Sequence, residues 1–250
     1  MQLAGKDHDL LVADIGGTNS RFAIADGEPG GTGLRGVTRY TNAGVDNFAA
    51  QLARYRDSIN APLPERACIA VAGPTDGERA SLTNGSWQFD AANLAGTFGF
   101  SKIALINDFT ALASSVHSLQ AAQLQRLKPG TAVTEAPLCV IGPGTGLGVA
   151  CVVSPGSGQT VIPTEGGHVD LAAVTEQEWR LRQWLREQVG ASVSAEHALC
   201  GAGLRRIDAF LREDPTTLRA VDTITQEALS GNGSGGRQAV DLFLALLAQE

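Results

Sequence analysis

Two short segments combine the residue types that hold a polyphosphate. Asp14-Ile15-Gly16-Gly17-Thr18-Asn19-Ser20-Arg21 places two glycines where a backbone turns tightly and approaches phosphate oxygens with no Cβ in the way, and Thr18 adds a hydroxyl and an amide. Asp14, at the end of an apolar run, can hold magnesium directly or through its waters. A plain hairpin turn accounts for the same residues, since Gly-Gly alone is common. The second segment, Gly142-Pro143-Gly144-Thr145-Gly146-Leu147-Gly148, repeats the design and turns the balance toward nucleotide phosphate binding. Other phosphate loops are missing. No Gly-x-x-x-x-Gly-Lys-Ser/Thr loop occurs, the second segment spaces its glycines too closely for a dinucleotide fingerprint, and the His-Arg-Asp and Asp-Phe-Gly pair of protein kinases is absent.

Asn107-Asp108-Phe109 follows the apolar run 103–106, at the carboxyl edge of a strand where α/β sheets put their ligands. Asp108 is the candidate general base, because a carboxylate that removes a hydroxyl proton during phosphoryl transfer typically contributes about 10² to 10⁴ in rate. Asn107-Asp108 reads equally well as the N-cap of a helix over 109–116, and the two roles are compatible. Glu165-Gly166-Gly167-His168 supplies an acceptor and a donor across a glycine pair, which suits a polyhydroxylated ligand. A metal site is another use of such a pair, but no third and fourth ligand lies nearby in sequence, and a lone histidine is more often structural. Asn84, in Leu82-Thr83-Asn84-Gly85-Ser86-Trp87, and Glu196 are by themselves no better than turn and surface residues.

The elements that position these groups follow from apolar patterning. Residues 10–14 and 21–26 read as a hairpin around the first glycine turn, 36–42 as a third strand, and Asp46 as the opening of a helix with Phe48, Leu52, Tyr55 and Ile59 on one face. Residues 67–72 and 103–106 read as buried strands. The stretch 138–153 repeats strand, Gly-Thr turn, strand. Two copies of one loop design predict a duplicated α/β architecture, two domains around a cleft: a small one over 1–117 with the first loop and Asp108, and a larger one over 118–250 with the second loop and the Glu165 segment. Beyond Asp170 the chain turns helical. Thr175 to Glu178 form a capping box for a helix whose Trp179, Leu181, Trp184 and Leu185 are expected core, as are Leu204, Ile207, Phe210 and Leu211 of another. After a Gly/Ser-rich loop over 230–236, the helix 237–250 is apolar nearly all round through Val240, Leu242, Phe243, Leu244, Leu246 and Leu247, and needs burial on most faces.

Composition fits this picture. The 250 residues are 43% hydrophobic and 18% charged, with mean hydropathy near zero, as in ordinary globular proteins. No apolar run approaches the roughly 20 residues that span a bilayer, and residues 1–9 lack the positive-then-apolar order of a secretory signal, so a cytoplasmic protein is expected. A net charge of -7, with Lys6, Lys102 and Lys128 as the only lysines, leaves no basic footprint for nucleic acid or an anionic membrane. Backbone amides must then supply much of the attraction for phosphate. Cys68, Cys139, Cys151 and Cys200 lie far apart, three of them in apolar runs, and read as buried small hydrophobes.

Taken in order, the motifs resemble those of the bacterial glucokinase family, a sugar-kinase branch of the actin-like ATPase (ribonuclease H-like) fold. Asp14 to Arg21 looks like its first phosphate motif, Ala72-Gly73-Pro74 with Leu82-Thr83-Asn84 and Trp87 its sugar-domain signature, and Ile106-Asn107-Asp108-Phe109 its catalytic segment. Gly142 to Gly148 is similar to the second phosphate motif, Glu165 to His168 to the sugar-binding Glu-Gly-Gly-His, and Glu196 with Leu199-Cys200-Gly201-Ala202-Gly203-Leu204 to a further glucose-contacting segment. The resemblance implies that Asp108 deprotonates the 6-hydroxyl of glucose, and that Asn84, Asn107, Glu165, His168 and Glu196 bind sugar hydroxyls. It implies that Ala13, Asp14, Ile15, Gly16, Gly17 and Thr18, with Gly142, Gly144, Thr145 and Gly146, cradle the phosphates of Mg-ATP. A zinc-free cytoplasmic homodimer is the family expectation. Family members continue past Glu250 through a strand, an adenosine motif and a final helix, so the C-terminal part of the fold is expected to be missing. Two readings compete with a glucose kinase: a non-catalytic sugar-binding or regulatory protein without the adenosine site, and a kinase of the same fold acting on another acceptor such as acetate or glycerol.

Overall fold

The computed structural model describes residues 8–27, 33–59, 61–131, 133, 136–153, 160–190, 192–231 and 235–250. The reading of the N-terminus over residues 1–7, and the middle of the glycine-serine loop at 232–234, lie outside the described residues. The chain divides into two compact units, Met1–Arg126 and Leu127–Glu250. The position expected for the boundary, His117, lies in a 3-10 turn, Val116–Ser118, of the first unit.

In the first unit, β1 (Leu10–Ile15), β2 (Asn19–Ala25) and β3 (Leu34–Thr41) form an antiparallel meander. Helix α1 (Phe48–Ile59) then carries the chain to β4 (Arg66–Val71), which pairs parallel with β1. After the short hairpin β5 (Arg79–Ser81) and β6 (Gln88–Asp90) and helix α2 (Ala91–Phe98), β7 (Lys102–Asn107) joins β4 in parallel and runs straight into α3 (Asp108–Ser115). The five-stranded sheet has the order β3-β2-β1-β4-β7. Its core is aromatic on the α1 side, where Phe22 stacks on Tyr55 at 5.0 Å and on Phe48 at 6.0 Å. Burying an aromatic ring there removes on the order of 150–250 Å² from water. Phe48, Leu52 and Tyr55 are fully buried as the spacing predicts, and Ile59 packs partly buried against them. The α1 cap is Asn47 rather than Asp46: its Oδ1 accepts from the Ala50 amide at 2.9 Å, the reach of an N-cap to the third helical residue.

In the second unit, β8 (Leu138–Pro143), β9 (Leu147–Val153) and β10 (Thr160–Thr164) form an antiparallel sheet of order β10-β9-β8. A 3-10 turn at Gly166–His168 leads to α4 (Glu176–Val189), α5 (Ala195–Ala198), α6 (Gly201–Leu211), α7 (Val221–Leu229) and α8 (Gly235–Leu247). The expected capping box is present: Thr175 Oγ1 accepts from the Glu178 amide and Glu178 Oε2 accepts from the Thr175 amide at 2.8 Å. Leu181, Leu185, Leu204, Ile207, Ile224, Leu242 and Leu246 make the helical core.

Three expectations about burial are corrected. Trp179 is exposed, because the buried stripe of α4 runs through Glu178, Leu181 and Leu185, and Trp179 lies off it. On α8, Leu244 is exposed while Leu242 and Leu246 are buried, so the helix has one covered face rather than burial nearly all round. Of the cysteines only Cys200 is buried; Cys139 is exposed on β8, and Cys68 and Cys151 are half-buried.

Candidate active site

The first cluster lies where three parallel strands of the first unit end at one level. Ile15 of β1 is in register with Val71 of β4, and Val71 with Asn107 of β7. The glycine loop after β1, the Ala72-Gly73-Pro74 turn after β4 and Asp108 after β7 therefore leave the sheet side by side, at the carboxyl edge where α/β folds build sites. The level is tied by hydrogen bonds from the Ala72 amide to the Ile15 carbonyl at 2.9 Å and from Asn107 Nδ2 to the Gly73 carbonyl at 3.2 Å. Asn42 Nδ2 donates to the Gly16 carbonyl at 2.8 Å, and its Oδ1 accepts from Ser20 Oγ at 2.6 Å, fixing the loop from beneath. A Cβ on Gly17 would sit 2.3 Å from the Asn84 carbonyl oxygen, so the loop and the Asn84 turn touch only because residue 17 has no side chain.

Within this cluster the two readings of Asn107-Asp108 separate. Asn107 caps α3, its Oδ1 accepting from the Phe109 and Thr110 amides at 2.9 and 3.2 Å. Asp108 opens the helix, and its Oδ1 also accepts from the Phe109 amide at 2.9 Å. Burial, and secondarily the Asp14 charge, push the Asp108 carboxyl above its ordinary range against the Phe109 hydrogen bond. That is the state of a carboxylate eager for a proton. Asp14 is half-exposed and its Oδ2 is paired with Arg21 Nη1 at 2.5 Å across the hairpin.

The second cluster gathers around the tight turn between β8 and β9. There the Gly144 amide donates to the Gly146 carbonyl at 2.7 Å, and the Gly144 carbonyl accepts from the Gly201 amide at the start of α6 at 2.9 Å. Glu196 Oε2 accepts from the Leu147 amide at 2.8 Å, and a Cβ on Gly146 would lie 2.2 Å from that oxygen. The carboxylate of Glu196 is thus laid along the glycine turn. Glu165 and His168 are exposed, 3.5 Å apart between Oε2 and Nε2, on a turn fastened to β9 by Thr164, whose Oγ1 donates to the Val149 carbonyl and accepts from the Gly166 amide. The Ala195 amide donates to the Val169 carbonyl at 2.8 Å and joins that turn to α5.

The sequence-derived residues therefore fall into two sets, each gathered by its own unit: Ala13 to Thr18, Asn84, Asn107 and Asp108 in the first, and Gly142 to Gly146, Glu165, His168 and Glu196 in the second. What the residue pattern by itself did not disclose is the bond from Glu196 to the second loop, which spans 49 positions of sequence. Among the described residues no cluster of three metal-ligating side chains occurs, and no helix is long and apolar enough to cross a membrane.

Residues 11–250 match the family described as "Glucokinase". The glucokinase of Saccharophagus degradans is 37% identical over 245 residues, which cover 96% of this chain and 76% of that protein. Among solved structures, the glucokinase from an Antarctic psychrotroph superposes with a TM-score of 0.78 at 30% identity, covering 96% of this chain and 76% of that one. The glucokinase of Balamuthia mandrillaris in complex with glucose superposes with a TM-score of 0.76 at 24% identity, over 96% of this chain and 74% of that one, which is a likeness of fold.

Proposed function

The chain belongs to the glucokinase family and phosphorylates glucose with ATP as donor, and we propose that Asp108 is the general base of that transfer. The observation that carries this assignment is the common level at which β1, β4 and β7 end, which sets Asp108 in the field of Asp14 beside the first glycine loop. Asp108 takes the proton of the sugar's 6-hydroxyl as that oxygen attacks the γ-phosphorus, and ADP leaves as glucose 6-phosphate forms. Asn84, Asn107, Glu165, His168 and Glu196 hold the sugar hydroxyls. Ala13 to Thr18 of the first loop, and Gly142, Gly144, Thr145 and Gly146 of the second, line the phosphates. The amides of Ala13, Ile15, Gly16, Gly142 and Gly144 are held within the sheets and turns, and those of Gly17, Thr18, Thr145 and Gly146 at the loop tips are offered to phosphate oxygens, which suits a chain of net charge -7 that is poor in lysine.

Magnesium, the expected companion of ATP, fits Asp14. One carboxylate oxygen is engaged by Arg21, and the other side of a half-exposed group can meet a hydrated ion otherwise held by the nucleotide's phosphates, the usual manner for this cation. When bound it neutralises charge developing on the phosphates. The finer architecture belongs to the same proposal: an actin-like, duplicated fold with a catalytic domain over 1–117 and a sugar-segment domain over 118–250, working as a cytoplasmic homodimer. The recurrence of the antiparallel trio, β3-β2-β1 in one unit and β10-β9-β8 in the other, each with its glycine turn between the last two strands of that order, supports the duplication.

A coupled assay of glucose-dependent ADP release tests the assignment. Asp108→Asn keeps the shape of the group and removes its basicity, so turnover falls by at least about 100-fold while glucose binding by calorimetry stays nearly intact. Near-normal turnover in that variant would reduce Asp108 to a first-turn helix residue.

A further inference from the structure

Cys139 and Cys151 were expected to be unrelated core fillers, yet the register of β8 and β9 sets them directly opposite each other. Opposed residues leave the same face of a sheet, so both thiols point to one side. The kind of pair follows from the end of the hairpin. Pro143 has no N–H, so its pairing with Leu147 cannot exchange hydrogen bonds across the ladder, and the Leu147 amide instead donates away from β8 to Glu196. Hydrogen-bonded and non-hydrogen-bonded pairs alternate along an antiparallel ladder. Counting back from Pro143/Leu147, Gly142/Gly148 and Val140/Ala150 are of the bonded kind, and Ile141/Val149 and Cys139/Cys151 are not. Val149 agrees independently, because its carbonyl accepts from Thr164 on β10 rather than facing β8.

A non-hydrogen-bonded pair brings its Cα atoms to about 4.5 Å, inside the span of about 4.4 to 6.8 Å that a disulfide bridges. Cys139 is exposed and Cys151 half-buried, so a small reagent meets the first thiol and the second stands next to it. The other two cysteines are placed differently. Cys68 faces Val12 and Ala104 across its ladders, with burial pushing its thiol up, and the Cys200 Sγ is buried and accepts from the Gly203 amide.

We propose that Cys139 and Cys151 are a thiol-disulfide modification site that takes low-molecular-weight disulfides of the glutathione class and closes into a bond across the base of the second phosphate hairpin. The Cys139 thiolate attacks the small disulfide, breaking its S–S bond and expelling one thiolate, which takes up a proton. The Cys151 thiolate then attacks the Cys139 sulfur of the mixed disulfide and expels the second thiolate. The protein gives up two protons and two electrons, and the reagent is reduced to two thiols. The bond closes a short loop that contains the Gly142–Gly148 segment, and so removes disorder from the unfolded chain at that segment.

The 250-residue chain, incubated with oxidised glutathione and quenched in acid, is mapped by mass spectrometry without reduction. The expected product joins the Cys139 and Cys151 peptides, two hydrogens lighter than the reduced pair and restored by dithiothreitol, and its thermal midpoint rises by about 5 °C over the reduced protein. Cys151→Ser is expected to stop at a glutathione adduct on Cys139 with no such rise. Accumulation of that adduct in the unmodified sequence with Cys151 still free, or an unreactive Cys139, would overturn the proposal.

Discussion

Removing the charge of Asp14 isolates the chemistry of its neighbour. Asp108 works as a base only when deprotonated, and its carboxyl is held above the ordinary range first by burial and then by Asp14. Activity is therefore lost as pH falls through that raised value, so the acid limb of kcat/KM lies above where an unperturbed aspartate would put it. Asp14→Asn deletes the like charge and moves the limb to lower pH, whatever it does to the absolute rate; a limb that stays in place assigns the titration to another group. Glu196 calls for a separate measurement. Its carboxylate holds the Leu147 amide, so Glu196→Ala is expected to speed exchange of that amide by about 10-fold or more, whereas Glu196→Gln, which keeps an acceptor oxygen, leaves most of the protection. Sequence spacing left the cap and the base roles of Asn107-Asp108 side by side; the placement of the Asn107 Oδ1 gives the cap to Asn107, and the base role of Asp108 stays a proposal that the register of β7 with β4 supports. Glu196 stood out only through family resemblance, because its partner is a backbone amide far away in sequence, and the one local trace of it is a glycine at 146 where a side chain would collide.

At the scale of elements, α6 and α7 are joined by a charge network that apolar patterning does not reveal. Asp208 of α6 is fully buried, receives hydrogen bonds from Arg212 at 3.0 Å and from both Nε and Nη2 of Arg219, and Arg219 continues to Glu227 of α7 at 2.7 Å. Burial alone would raise the Asp208 carboxyl, but the Arg219 and Arg212 hydrogen bonds outweigh it and hold it below the ordinary range. Since the folded-state value is depressed, its stabilisation is complete above the unfolded-state value and is lost as pH falls through the folded one. Asp208→Asn removes the buried anion that two arginines share, leaving Arg219 with Glu227 and Arg212 with Asp214, and is expected to cost roughly 1.5 to 3 kcal/mol in urea unfolding at neutral pH; a loss below about 1 kcal/mol would mean that packing, not this network, sets the geometry. Helix α7 itself was not read from the sequence. Its Val221, Thr223, Ile224 and Thr225 are β-branched and poor helix formers, and its buried face is only Ile224 and Ala228, too little for a periodic signal. Helices α1, α4 and α6 were legible because a run of large apolar residues repeats at helical spacing. Trp179 misled for the same reason in reverse: an aromatic inside a periodic segment was assigned to the core although it sits off the stripe.

For the molecule as a whole, the repeated loop design was the part of the architecture most open to sequence reading, and the sheets carry the comparison further than the motifs do. Residues 10–15 of β1 and 138–143 of β8 both precede a glycine turn and pair antiparallel with the strand after it. If the units are copies, the parity of the two strands must also agree. In β1, the Ile15 carbonyl accepts from Ala72 beyond the end of β4, so the amides of Leu11, Ala13 and Ile15 face β4. In β8, the matching positions Cys139, Ile141 and Pro143 face away from β9, by the same count that makes Cys139/Cys151 a non-hydrogen-bonded pair. The environments differ: β1 lies inside a five-stranded sheet, while among the described residues no strand flanks the outer side of β8. Proline at 143, with no amide to donate, suits an edge position. Hydrogen exchange on the 250-residue chain, resolved by residue, should then show the amides of Leu11 and Ala13 protected by at least about 100-fold more than those of Cys139 and Ile141, with Val140 slow because it pairs with Ala150. An alternation of slow and fast amides that peaks at Cys139 and Ile141 instead would break the parity match and with it the duplication.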